Sequence, residues 1–195
     1  MAGDVTVAVV DVVVPAMSSG TVDAIKSGFG TPKACIVIAT YNIDGGTTPT
    51  AESNASIGFS DFTNNYCITH QDEDASAKVD CDALKSNTTV LNLMDVAANL
   101  IRSCTAGTIT DGVRLTNNAS TEQAFNATVI MFGGADLAVD LRSSAINSSQ
   151  DGTASITHSG FTDGNDKLIF FIGTDISGED SASTGINNSF GVCHA

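Results

Sequence analysis

The most informative segment for the fold is residues 27–38, SGFGTPKACIVI. Its two glycines permit the backbone conformations of a tight turn, and Phe29 between them is large enough to anchor a hydrophobic core. The uninterrupted apolar run Ala34–Ile38 that follows is typical of a strand with both faces buried. The segment therefore predicts a turn that leads into an internal β-strand, with Phe29 and Ile36 buried.

The same order of elements returns about 130 residues later in the chain. Each copy contains a Gly-Phe turn, an apolar strand preceded by Lys, and a Ser-x-Gly element after a polar stretch. The corresponding segments are Ser27–Phe29 and Ser159–Phe161, Ala34–Ile38 and Leu168–Ile172, and Ser56–Phe59 and Ser189–Val192. The matching order and spacing indicate a weak internal repeat, at about 20–70 and 152–195, within one domain that spans residues 1–195.

Ten segments alternate apolar and polar residues or run apolar between Gly, Asn, Asp and Pro, which is the pattern of β-strands. They are Val5–Val14, Thr21–Lys26, Ala34–Tyr41, Asn54–Ser60, Tyr66–His70, Gly112–Asn117, Ala124–Phe132, Leu137–Arg142, Ala154–His158 and Lys167–Thr174. This even spacing predicts an all-β fold, an antiparallel, jelly-roll-like β-sandwich of about ten strands with at most one or two short helices.

Two segments leave alternatives open. Between Leu93 and Ile101 the apolar residues fall at helical spacing, so a short helix and a strand are equally compatible with the pattern. In Val5–Val14 valine occupies both faces of the predicted strand, so we expect neighbours on both sides, within the sandwich or from another subunit, and the internal position is favoured. Phe170 and Phe171 are expected on opposite faces, with one turned toward a second sheet or a neighbouring subunit.

The charge of the chain bounds its partners. Its formal net charge is -14 and its pI is about 4.1, so it would repel nucleic acid and anionic membranes. Its apolar runs are too short for a membrane helix. The N-terminal sequence lacks a secretion signal, because Asp4 and Asp11 interrupt the valines, and this favours folding in a cytoplasm. The five cysteines have no CxxC spacing and are expected to be reduced.

Short motifs in the chain resemble elements of β-structured virion proteins of tailed phages, marine phages among them. Residues 27–38 resemble their Gly-Phe-x-Pro-Lys-Ala strand, Ser56–Asp61 their Ser-x-Gly-Phe-x-Asp element, and Asp111–Leu115 their Asp-Gly-Phe-x-Leu strand. The chain departs from this pattern by an extra residue between Phe29 and Pro32. The resemblance implies a structural component of a virus particle.

Patterns that would indicate chemistry are weak. The sequence contains no nucleophile elbow, no phosphate-binding glycine motif and no zinc spacing among its histidines and cysteines. Acidic clusters could supply calcium ligands, but hairpin turns use the same residues and are favoured. These clusters are Asp72–Asp74 with Asp80 and Asp82, Asp163–Asp166, and Asp175–Asp180. The sequence therefore predicts no enzyme, no catalytic residue, no cofactor and no metal ligand.

Three functions fit these observations. The favoured one is a capsid-decorating or cement protein at the capsid surface, which binds the major capsid protein and assembles with itself, as a trimer on a local symmetry axis. The alternative within a particle is a fibre, spike or tail component that contacts a host receptor. From another class, a calcium-dependent adhesin or a carbohydrate-binding module would use the same architecture.

Overall fold

The computed structural model describes residues 4–16, 19–40, 52–73, 80–95, 99–118, 124–145, 155, 157, 168–176, 178, 183–184 and 188–194. Within these ranges thirteen β-strands form all of the regular secondary structure. In chain order they are β1 (Thr6–Val14), β2 (Gly20–Ile25), β3 (Ala34–Thr40), β4 (Glu52–Ser60), β5 (Asn65–Glu73), β6 (Asp80–Ser86), β7 (Leu91–Met94), β8 (Leu100–Ile109), β9 (Gly112–Asn117), β10 (Phe125–Gly133), β11 (Leu168–Thr174), β12 (Ser183–Thr184) and β13 (Asn188–His194). The predicted all-β class is confirmed.

The strands form three sheets, and every neighbouring pair is antiparallel. The large sheet has seven strands in the order β1-β10-β3-β4-β5-β6-β12, so β3 to β6 follow one another as a meander. The small sheet has the order β2-β9-β8-β7. The remaining two described strands, β11 and β13, pair with each other, and we call this two-stranded sheet the ribbon.

The large and small sheets pack face to face around one hydrophobic core. Burial alternates along β10, where Phe125, Ala127, Val129 and Met131 face the core. Leu93 and Leu115 face them from the small sheet. This period-two burial is the physical reason that the alternating sequence pattern identified the strand. The predicted β-sandwich is therefore confirmed.

Side chains of the large sheet bind the backbone of β7, the edge strand of the small sheet. The Asn54 amide donates to the carbonyl oxygen of Met94 (2.7 Å) and its oxygen accepts from the Met94 N–H (3.1 Å). The Thr69 hydroxyl lies 2.9 Å from the Asn92 carbonyl oxygen, and Ser56 accepts from the Asn92 N–H. Because these groups are buried, their mutual hydrogen bonds remove the cost of desolvating them. They close this side of the sandwich.

The ribbon forms a third layer on the outer face of the large sheet. The ring of Phe170 in β11 lies 6.3 Å from that of Phe59 in β4 and 5.9 Å from that of Phe132 in β10. Ile36 is the cross-strand partner of Phe59 and is buried on this face, as expected. Phe29 is half-buried against the core, and its ring covers Gly133.

Several details of the predicted strands are wrong. Leu137–Arg142 is not a strand, because its backbone joins no ladder and the Lys33 ammonium binds the Leu137 carbonyl oxygen at 2.7 Å. The helix alternative for residues 93–101 is wrong over its described part, since Leu93 lies in β7 and Leu100 and Ile101 lie in β8. Ala154–His158 lies almost wholly outside the described residues.

The favoured position of the N-terminal strand is also wrong. β1 pairs with β10 and lies at the edge of the large sheet, with no second neighbour among the described residues. Valine on both faces therefore does not indicate an internal strand here. One face contributes Val10 and Val12 to the core, and the other is exposed.

Candidate association surface

The Gly-Phe segment is held by the turn between β8 and β9. The Gly30 N–H donates to the Asp111 carboxylate (2.7 Å), and the Asp111 N–H donates to the Gly30 carbonyl oxygen (2.8 Å). Hydrogen bonds from the backbone of Gly30 and Gly28 lower the pKa of the Asp111 carboxyl. Asp111 and Gly30 each have positive φ, a conformation that glycine adopts easily and aspartate tolerates. Two motifs far apart in sequence thus meet in a structural contact.

The lysine of the same motif also has a structural role. The Lys33 ammonium donates to the carbonyl oxygens of Ala135 (3.0 Å) and Leu137 (2.7 Å), in the loop after β10. Asp136 in this loop accepts from the Asp4 N–H at 2.8 Å, just before β1. The motif therefore joins β3, β10 and the start of β1.

The predicted acidic clusters do not form a metal centre within the described residues. Asp72 is half-buried in β5, Asp82 is buried in β6, and Asp175 is exposed. Asp163–Asp166 lies outside the described part of the chain. Across the described ranges, no three His, Cys, Asp or Glu side chains lie close enough together to hold an ion.

The first exposed apolar surface is the outer face of β1, which we call the valine edge. Its members are Val7, Val9 and Val13 of β1 and Val5 just before it, and each is more than half exposed, with Val9 at 60%. The charged residue of β1 is Asp11, whose carboxylate accepts from the Thr128 hydroxyl at 2.6 Å. An apolar strand of nine residues at the edge of a sheet also favours pairing with another strand through its backbone.

The second exposed apolar surface is the ribbon. Phe171 and Ile169 point away from the large sheet, and Phe171 is 49% exposed. Phe190 and Val192 lie on the same ribbon face as Phe170, because Ile172 pairs with Phe190 and Phe170 with Val192. Nevertheless Phe190 is 56% exposed and Val192 is also more than half exposed. The expectation that Phe170 and Phe171 face opposite ways is confirmed.

Cysteine environments differ between these layers. Burial in the sandwich raises the pKa of the Cys35 and Cys104 thiols to about 12, although the nearby Arg102 charge partly opposes the shift at Cys104. Cys67 is also buried, whereas Cys193 in the ribbon is exposed. The structure shows no disulfide at these four positions. A buried thiol with a high pKa is unreactive, so the structure indicates no nucleophile at these buried positions.

No family model, curated protein or solved structure matches the chain. Its own fold and surfaces define the chain as an antiparallel β-sandwich with a ribbon as a third layer and two exposed apolar strand surfaces. The described residues also contain no helix of the length and apolarity needed to cross a bilayer.

Sequence reasoning singled out the valines of β1 and the outward phenylalanine of β11. It did not include β13 among the predicted strands, because NSFGVCH begins with two polar residues and holds a central glycine. The Ser-x-Gly repeat element was the signal that could have identified it.

Proposed function

We propose that this protein is a non-enzymatic structural component of a virus particle, most specifically a capsid-decorating protein that binds the major capsid protein at the capsid surface. It assembles with itself, as a trimer in the favoured arrangement, in the host cytoplasm. It binds neither nucleic acid nor membrane, in keeping with its net charge of -14.

The observation that carries the proposal is the pair of exposed apolar strand surfaces on a compact β-sandwich. A soluble monomer rarely exposes contiguous apolar patches of large size, and such patches mark contacts between proteins. A decorating protein needs a rigid fold and contact surfaces that are repeated in many copies, and it needs no catalysis. The resemblance of the Gly-Phe and Asp-Gly motifs to phage virion elements supports the same role.

Quantitative mass spectrometry of purified particles tests this proposal. Particles from the virus that carries this gene are banded by density, and the molar ratio of this protein to the major coat protein is measured before and after a high-salt wash. A ratio near one copy per coat subunit, or a fixed simple fraction of it, is expected. A few copies per particle would indicate a fibre or tail component instead, and absence from particles would overturn the virion role.

Calcium dependence separates the adhesin alternative. The melting temperature of the purified protein is measured with calcium and with a chelator, with magnesium as the matched control. The decorating role predicts equal melting temperatures, whereas a rise specific to calcium would favour an adhesin.

A further inference from the structure

The inner face of the large sheet carries polar side chains along β4, β5 and β6. Those that bear on the argument are each at most 6% exposed, and they are Asn54, Thr69, Gln71 and Asp82. The strands β1, β10 and β3 turn apolar side chains toward the same core. Because a buried polar group costs free energy unless it is hydrogen-bonded, each of the polar side chains needs a partner.

Gln71 differs from its polar neighbours in its hydrogen bonding. Asn54 binds both backbone groups of Met94, the last residue of β7. Thr69 binds the carbonyl oxygen of Asn92, two residues earlier. Gln71 lies on the same face of β5 as Thr69 and opposite Asn54, and it is 1% exposed. Its Nε2 group nevertheless has no hydrogen-bond partner among the described residues, which would leave a buried donor unsatisfied.

Asp82 lies on the other side of Gln71, in β6. The two residues are cross-strand partners, and both are buried. In such a directly opposed pair the Cβ atoms are about 5 Å apart and the side chains share one face of the sheet. A carboxylate has about four acceptor sites, so Asp82 can accept a hydrogen bond from this direction in addition to its other contacts. The pair therefore offers one donor and one acceptor to a small molecule between them.

The chemistry of the pair selects the small molecule. The Gln71 N–H group needs an acceptor, which neither a metal cation nor an ammonium ion provides. Within the described residues, Asp82 also belongs to no group of three His, Cys, Asp or Glu side chains that could hold a metal ion. An anion would accept from the amide, but the adjacent carboxylate would repel it. Water both accepts and donates, and buried waters occupy sites where polar groups lack other partners.

We infer that one internal water molecule bridges Gln71 and Asp82. It accepts a hydrogen bond from Nε2 of the amide and donates one to a carboxylate oxygen. The water joins side chains of β5 and β6 that do not bond each other directly through this amide nitrogen. This site goes beyond the proposed function and does not depend on it.

The sign of a stability change tests the site. Methionine matches the length of glutamine and has no N–H group, so Gln71→Met removes the donor with little change in volume. With a bridging water, the substitution leaves Asp82 without one of its hydrogen bonds, and the melting temperature should fall by about 2–4 °C. If Nε2 has no partner at all, the substitution removes an unsatisfied polar group and the melting temperature rises. A rise would overturn the inference.

Nuclear magnetic resonance identifies the partner. In the labelled wild-type protein, the side-chain amide of Gln71 should show a cross-peak to water with the sign of dipolar contact, opposite to that of chemical exchange. Gln71→Met assigns the signal by its loss. As the matched control, Thr69→Val removes a buried hydroxyl that binds protein groups, so it should lower the melting temperature and keep the Gln71 cross-peak.

Two further outcomes would contradict the bridging water. A lower melting temperature of Gln71→Met without a water cross-peak in the wild type would show that a protein group is the partner of Nε2. A chelator that lowers the melting temperature of the wild type, but not that of Gln71→Met, would place a cation at this site instead.

Discussion

The strand pairs β3–β4 and β11–β13 share a cross-strand register and differ in their surroundings. In each pair a glycine lies opposite the middle of an apolar strand, Gly58 opposite Val37 and Gly191 opposite Phe171. β3–β4 lies inside the large sheet with a strand on either side, whereas β11–β13 has no neighbouring strand in the part of the chain that the structure describes. Similar local sequence thus produces the centre of a sandwich in one place and an exposed ribbon in the other.

The two glycines show how the surroundings change the role of one residue type. A Cβ at Gly58 would overlap the backbone carbonyl of Val90, so this glycine allows the chain just before β7 to approach the large sheet. A Cβ at Gly191 would overlap the ring of Phe171, which lies across the glycine as a cover. The first obstacle is backbone, and the second is a side chain that can rotate.

The largest difference is expected from substituting these glycines. Gly58→Ala should lower the free energy of unfolding by about 3 kcal/mol, or prevent folding, because the Val90 backbone cannot move without disturbing β7. Gly191→Ala should cost less than about 1 kcal/mol, since Phe171 can turn toward solvent. Urea unfolding measures both values. Equal losses would show that the two strand pairs are equally constrained, contrary to the comparison.

A smaller difference is expected when the facing side chains are truncated. Val37 is fully buried, so Val37→Ala should cost about 2 kcal/mol of unfolding free energy. Phe171→Ala removes a larger side chain but should cost less than about 1 kcal/mol, because the ring is half exposed. Both are measured by chemical denaturation at concentrations below those of self-association. A cost for Phe171→Ala that matches Val37→Ala would mean that the outward ribbon face is buried within one chain.

Thiol labelling compares the same two regions with the least disturbance to the fold. Since burial raises the pKa of Cys35 to about 12, almost no thiolate forms at pH 8, and reaction should begin only as the pH rises toward that value. Cys193 is exposed and should be alkylated first. Peptide mass spectrometry after brief maleimide treatment measures each site, with a denatured sample as the control. Equal labelling of Cys35 and Cys193 in the native protein would show that the sandwich opens readily.

Some parts of the fold were accessible from sequence and others were not. Alternation identified β10, and the apolar run identified β3, because burial on one or both faces leaves a side-chain pattern. β6 was missed because DCDALKS buries the polar residues Asp82 and Ser86, which interrupt an apolar strand pattern. The first two residues of β8 fell in the segment whose apolar residues have helical spacing, and the rest of the strand was missed because it includes Arg102, which is buried beside the Phe125 ring at 6.0 Å. A buried cation interrupts the apolar pattern by which strands are identified.

The sequence identified only part of the candidate association surface. Valines on both faces of β1 indicated that something covers them, and the sequence favoured an internal position, whereas β1 is an edge strand among the described residues. Leu137–Arg142 alternates as a strand does, yet its loop is held by Lys33 instead of a ladder.

The amino-acid sequence by itself determined the all-β class and the acidic character, because these depend on side-chain type and order. The tertiary structure alone decided which strands lie at an edge, that Gly30 contacts Asp111, and that β11 and β13 form a third layer. The physical reason is that strand pairing uses backbone N–H and C=O groups, which every residue except proline presents alike. A side-chain pattern therefore shows which face of a strand is buried, but it does not show which neighbour its edge binds.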